Sequence, residues 1–407
     1  MNDNDRMAVA IYRRMLSRDT DEEHRASTPL ELFFDLCFVV AVAQASGRLH
    51  HALLSGSGTG HGVGSFLMVF FAIWWAWMNF TWFASAYDTD DALYRVATLV
   101  QITGALILAA GIPRAFDDSN FTVVVIGYVV MRLAMVAQWL RAARSDELHR
   151  QTAIRFAIGV GCVQVAWVAR LWLPDSLGVI NLGVASFLIL VVAEVLVPVI
   201  AERAGGTTWH PGHIAERYGL FTLIVLGESI LAATTAVQTA FDAPSHGSHR
   251  GSLLILSAAG LVIVFGMWWI YFDQPGDDVL SAASSGFVWG YGHYLIFAAA
   301  AAVGAGIATN VDAHEGIADL SARSAGLTIA IPVAVYLVSV WWLHSRPAHR
   351  DESAWTLRAW AMPACAVLVL VAPLLGAPIT VAIPIIAVIL AALVVVKTIA
   401  GQTTPIE

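Results

Sequence analysis

Charged residues are scarce in this sequence. Asp, Glu, Lys and Arg make up 13% of 407 residues, hydrophobic residues 58%, and the mean hydropathy is +0.70. A soluble domain of this length needs a charged surface over its core, and so few charges cannot supply one. A bilayer removes that need, because lipid-facing surface is apolar. Lysine is nearly absent: Lys397 stands beside 21 arginines, which cluster between apolar runs. No basic stripe for nucleic acid results. Cysteine is limited to Cys37, Cys162 and Cys365, all inside apolar stretches and without metal spacing. They read as small buried apolar residues, not as a disulfide framework or zinc site.

Catalytic fingerprints are missing as well. No phosphate loop, nucleophile elbow, zinc-protease helix or dinucleotide motif occurs, nor a soluble domain to host one. An ATP-driven pump and a conventional enzyme are disfavoured, and no cofactor is expected. His50, His51, His61, His210 and His213 read as loop-edge residues without metal spacing.

What is present is a succession of apolar runs. A hydrocarbon core about 30 Å thick takes about 20 residues of helix. Spans are expected near 31–50, 65–86, 94–113, 121–141, 154–173, 178–199, 216–238, 252–272, 285–308, 325–343, 358–376 and 378–398. Breakers separate them at Gly56 to Gly64, Pro113 to Asn120, Pro174-Asp175, Gly205 to Gly212, Pro275 to Asp278 and Arg346-Pro347. Only Gly376, Ala377 and Pro378 part the last two, which leaves a tight hairpin or one bent helix. The fold class is therefore an all-α polytopic membrane protein of about twelve transmembrane helices. Residues 1–29 form a polar segment. The first apolar run carries Glu31, Asp35 and Arg48, a poor signal-peptide core, so no cleaved signal is expected.

With the N-terminus inside, sixteen Arg and Lys fall on the inner side: Arg6, Arg13, Arg14, Arg18, Arg25, Arg95, Arg141, Arg144, Arg150, Arg155, Arg203, Arg217, Arg346, Arg350, Arg358 and Lys397. Five fall outside: Arg48, Arg114, Arg170, Arg250 and Arg323. This bias predicts an inner-membrane protein with both termini in the cytoplasm. Acidic clusters at residues 88–91 and 273–278 fall inside too.

The second half echoes the first. Glu31 opens span one as Glu216 opens span seven; Trp74-Trp75 answer Trp268-Trp269; Trp139-Leu-Arg141 answers Trp342-Leu-His344; Arg155 answers Arg358; Glu194 answers Lys397. Six spans per repeat is even, so the repeats are expected to be parallel, with a pathway along the axis between them. The organisation is then a cytoplasmic segment 1–29, a first six-helix repeat 30–200, a cytoplasmic linker 201–215, a second repeat 216–398 and a tail 399–407.

Charges within spans are costly, about 2.5–3.5 kcal/mol on insertion scales, and therefore informative. Glu31 and Asp35, four apart, share a helix face. Thr28-Pro29-Leu30-Glu31 also reads as a capping box, a structural role for Glu31. Glu228 lies deep in span seven; Gly227 beside it suits a close helix approach. Arg217 lies on the same face, too far along the axis to pair with it. Arg132, mid-span, is a counter-ion for Asp35 or for Glu228. Glu194 and Lys397 read as snorkelling at cytoplasmic ends. His293 and Gln101 occupy similar places early in spans nine and three, and a lone His there is more often a hydrogen-bonded core residue than a proton relay. Asn79 among the tryptophans of span two suggests aromatic packing plus one inter-helix hydrogen bond. Ala298 to Ala302, Gly304 and Gly306 suggest a closely packed helix.

Two stretches carry a family resemblance. Thr28-Pro-Leu-Glu-Leu-Phe-Phe-Asp35-Leu-Cys-Phe-Val-Val-Ala-Val and Glu216-Arg-Tyr-Gly-Leu-Phe-Thr-Leu-Ile-Val-Leu-Gly-Glu228-Ser-Ile resemble the two signatures of the bacterial low temperature requirement A proteins, over nearly the whole chain. Tyr94-Arg95 and Trp74-Trp75 fit as well. The resemblance implies a multi-span bacterial membrane protein, linked by name to growth in the cold, and supplies no biochemical activity. Glu31-Leu-Phe33-Phe-Asp35 is also similar to the start of helix one in the two-repeat endolysosomal potassium/proton channels. There Ser stands where this chain has Phe34, and the second repeat here lacks the Asp.

The expected function is a channel or transporter, with membrane lipids as partners and a proton, cation or small solute as cargo. Its polar core would comprise Glu31, Asp35, Asn79, Arg132, Glu216, Arg217, Glu228 and His293. Trp74, Trp75, Trp268 and Trp269 would provide aromatic packing. The alternative is a non-transporting scaffold, lipid-interacting or stress-adaptation factor. An intramembrane enzyme would need His293, Glu228 and Asp35 around one lipid-open pocket.

Overall fold

The computed structural model describes residues 10–402 except 20, 21, 23, 24, 56–58, 175, 178, 179, 243–246, 274, 275, 277–279, 281–285, 318 and 345–356. The breakers at 56–58, 274–275, 277–278 and Arg346-Pro347 lie outside the described residues, as do Arg6, Arg350 and the tail beyond 402.

Twelve α-helices account for nearly all of the described chain: α1 (Pro29–Leu54), α2 (Thr59–Tyr87), α3 (Ala92–Asp117), α4 (Thr122–Ser145), α5 (Arg150–Arg170), α6 (Leu182–Ala201), α7 (Pro211–Asp242), α8 (Gly247–Phe272), α9 (Gly286–His314), α10 (Ala322–His344), α11 (Leu357–Leu374) and α12 (Ile379–Gln402). Eleven are long and apolar enough to cross a membrane; α11 is apolar from Trp360 to Leu374. Their outward faces carry large apolar side chains, such as Leu188, Ile189 and Val192 on α6 and Val388 and Val395 on α12. This is a polytopic helical membrane protein, since such faces are stable only against lipid.

Helix ends moved where local chemistry outweighed hydropathy. α7 begins at Pro211, five residues before the expected start, because proline has no N–H to lose in a first turn. α6 begins at Leu182: Asn181 caps it, accepting from the Val184 N–H at 2.9 Å. A short antiparallel pair, β1 (Ser176–Leu177) and β2 (Ile180–Asn181), takes the place of the expected first turn. The last two spans form a hairpin. Gly376 adopts φ +74°, its N–H donates to Pro373 O, and Ala377 N–H donates to Ala372 O. That left-handed cap ends α11, and Pro378 prevents its continuation. Gly316 ends α9 the same way, with Ile317 N–H on Asp312 O.

The chain packs as two compact units. One comprises residues 1–41 and 71–217; the other comprises 42–70 and 218–407. Three helices (α1, α2 and α7) contribute one part to each. Within the first unit α3, α4, α5 and α6 pack in succession; within the second α9, α10, α11 and α12 do so, with α8 against α12. Close approach depends on glycine. A Cβ on Gly127 would lie 2.5 Å from Gly104 O, and one on Gly306 2.5 Å from Thr328 O. The alanine run at 298–301 is buried, as expected for a closely packed helix.

Candidate functional site

Three polar assemblies occur among these apolar helices, two in the first unit and one in the second. The first gathers around Glu31 and Asp35. The capping box forms: Thr28 N–H donates to Glu31 Oε2 at 2.7 Å and Glu31 N–H to Thr28 Oγ1 at 3.3 Å. Glu31 nevertheless has a second role. Its Oε1 meets Arg217 Nη1 at 3.3 Å, Arg25 Nη2 at 3.2 Å and His213 Nε2 at 3.2 Å. Arg217 grips Asp35 bidentately, at 2.8 and 2.5 Å, and Trp77 Nε1 donates to Asp35 at 2.7 Å. Arg217, Glu31 and Asp35 are fully buried.

Arg25 closes this cluster by donating to Ser85 O and Ala84 O and pairing with Asp88 at 3.5 Å, where Arg18 also arrives at 3.6 Å. Three guanidinium groups thus face three carboxylates. Burial, reinforced by Glu31, pushes the Asp88 carboxyl above its usual range against the pull of Arg25 and Arg18. Glu216 accepts from the Ser27 N–H at 3.1 Å. The counter-ion of Asp35 is therefore Arg217, not Arg132. His213 is a buried helix residue, not a loop-edge one, because α7 starts early. Arg25 was not singled out in the sequence. It lies in a polar segment, and only folding brings it under α1.

The second assembly corrects two expectations. Arg132 pairs with Glu194 at 3.0 Å, and both are buried. Trp75 Nε1 and Trp167 Nε1 donate to the same carboxylate at 2.8 and 3.1 Å. Glu194 does not snorkel: α6 turns it inward, where two indole donors and a guanidinium replace water. Lys397, its sequence counterpart, pairs with Asp273 at 2.8 Å.

Residues 10–19 run as a strap within the first unit. Arg13 N–H donates to Asp91, Ser17 N–H to Asp146 and Arg18 N–H to Ala86 O, with Met15 fully buried. Arg141 pairs with Asp91 and donates to Arg13 O. Burial opposes the charge on Asp91 and Asp146. The Arg141 and backbone bonds to Asp91, and the His149 and Ser17 bonds to Asp146, outweigh it and hold both carboxyls below the usual range.

The third assembly is a cavity of about 240 Å³ in the second unit, bounded by α1, α7 and α9. Glu228 stands on its wall and makes no hydrogen bond or ion pair among the described residues. Opposite lie His50 and Asp312, paired at 2.9 Å. Ser46, Leu231, Thr235, Ala308 and Val311 also line it. Gly304, not Gly227, provides the close approach here: a Cβ on Gly304 would meet Ser229 Oγ at 3.0 Å, whereas Gly227 faces open space. Asp312 gave no signal in the sequence, since it sits in the last turn of a helix beside other polar residues.

The remaining expected residues do not join these sites. His293 is a hydrogen-bonded core residue, with Nδ1 at 2.8 Å from Trp289 O and Nε2 at 2.9 Å from Tyr271 Oη. Neither it nor Asp35 is among the described residues that line the Glu228 cavity. Asn79 donates to Trp75 O within its own helix, not between helices, because that carbonyl lies one turn back. Trp74 and Trp75 are buried, but Trp268 and Trp269 are 44% and 46% exposed and contact rings along their own helix. The cysteines are not buried: Cys162 is exposed and the other two half-buried, on faces that lipid would cover. Gln101 donates to Gln138 at 2.9 Å. Among the described residues no group of three or more His, Cys, Asp or Glu side chains is placed to hold a metal.

The fold and these buried ion clusters define a polytopic helical membrane protein. Residues 26–398 match the family model of the bacterial low temperature requirement A protein (LtrA), and the chain belongs to that family. It is also 28% identical over 301 residues to an uncharacterized protein of Rhizobium meliloti (strain 1021), an alignment covering 69% of this chain and 68% of the relative.

Proposed function

We propose that this protein is a channel or transporter for a proton, cation or small solute, not an enzyme, and that the Glu228 cavity is its binding vestibule. The observation that carries the reading is Glu228 itself, a carboxylate deep in an apolar helix with no hydrogen-bond or ion-pair partner among the described residues, on the wall of a cavity large enough for a guest. Structural carboxylates in this chain, Glu31, Asp35 and Glu194, are all saturated by arginine and indole donors. Glu228 is not, and an unpaired intramembrane carboxylate ordinarily marks a pathway. The arginine bias supports an inner-membrane location with both termini cytoplasmic. The matching succession of packed helices, α3 to α6 and α9 to α12, supports descent from a duplicated six-helix unit.

Protein in liposomes is expected to move H⁺, K⁺, Na⁺ or a small solute, with the flux lost in Glu228→Gln. Liposomes inert to these ions and to a panel of small solutes would overturn the reading. The saturated ion clusters of the first unit favour a second reading, a non-transporting scaffold or stress-adaptation factor. It expects Glu228→Gln to alter stability alone.

A further inference from the structure

The cavity in the second unit also has a chemistry that selects its guest. Its volume, about 240 Å³, exceeds the roughly 150 Å³ that accommodates a benzene ring. A desolvated inorganic cation requires about six oxygen ligands. Among the described residues no group of three or more His, Cys, Asp or Glu is placed to hold a metal ion, and Asp312 is engaged by His50. Glu228 is left as a single free carboxylate facing walls of Leu231, Ala308 and Val311. The charge sign is fixed: the His50–Asp312 pair is neutral or negative, so an ionised Glu228 makes the cavity negative either way. Among the described residues no Phe, Tyr or Trp lines it, so they supply no aromatic cage of the kind that suits quaternary ammonium, whereas a primary ammonium needs only a carboxylate acceptor.

Resting on the vestibule reading above, we infer that this cavity binds a small primary alkylammonium, its charged head on Glu228 and its hydrocarbon against Leu231, Ala308 and Val311. The test is thermal unfolding of the full-length protein in detergent, followed by tryptophan fluorescence. Titrants are n-butylammonium, tetramethylammonium, Na⁺ and K⁺ at matched ionic strength. A saturable rise in Tm with n-butylammonium alone is expected, with apparent Kd at least about tenfold weaker in Glu228→Gln. Ala308→Phe fills the space and keeps the carboxylate, and should abolish the shift even if the Gln variant does not fold. No shift, an equal shift with the other cations, or a shift unchanged in both variants overturns the inference. Amine binding by a protein that moves nothing in liposomes would sink the transport reading alone. Glu228-dependent ion flux without amine binding would sink this inference alone.

Discussion

At the scale of single residues, the decisive contrast among the described residues is between the carboxylates Glu31, Asp35 and Glu194, which found partners, and Glu228, which did not. Arg132 and Glu194 lie buried with two indole donors on the carboxylate. Removing one member leaves the other uncompensated, which costs about 3–5 kcal/mol, whereas replacing both by apolar groups is close to neutral. Arg132→Met is therefore expected to lower the unfolding temperature sharply, and Arg132→Met combined with Glu194→Leu to restore part of it, since Trp75 and Trp167 then lose their acceptor. Thermal unfolding in detergent checks both. If the double variant proves as unstable as the single, the desolvation account is wrong.

Between elements, backbone proximity sets the packing. α3 and α4 touch through Gly104 and Gly127, where an added Cβ would collide with main-chain atoms that cannot rotate away. Gly127→Ala should destabilise by about 1–3 kcal/mol, the usual penalty for overpacking. Gly227→Ala makes the opposite case: the space is open, and alanine is the better helix former by about 1 kcal/mol, so Tm should hold or rise. Measuring the two side by side separates packing glycines from incidental ones.

For the molecule as a whole, the strap of residues 10–19 is tied to the ends of three helices, α2, α3 and α4, and its anchors titrate. Asp91 and Asp146 have carboxyls held below their unfolded values, so their contribution is full at neutral pH and lost as pH falls through the folded values. Asp88 is raised and has the opposite sign, its protonation favouring the folded state as pH falls. With two anchors against one, the strap should release below about pH 4, the ordinary carboxylate range. Limited proteolysis across pH 3 to 6 reads this as cleavage confined to residues 10–19. Asp91→Asn with Asp146→Asn should expose the same bonds at neutral pH.

The sequence by itself determined the solvent of this protein and the succession of apolar helices seen among the described residues, because hydropathy and Pro/Gly punctuation act locally. It also located Glu31, Asp35, Arg217 and Glu228 as groups needing special surroundings, since an apolar run makes any charge conspicuous. Only the tertiary structure decided who pairs with whom. Arg25, His213 and Asp312 looked ordinary in polar stretches, and Glu194 looked peripheral. Partners separated by 182 residues, as Asp35 and Arg217 are, meet through helix packing that no local pattern encodes. The physical reason is one of range: hydrophobic periodicity is written residue by residue, whereas compensation of a buried charge is settled by whichever side chain the fold brings within hydrogen-bonding distance.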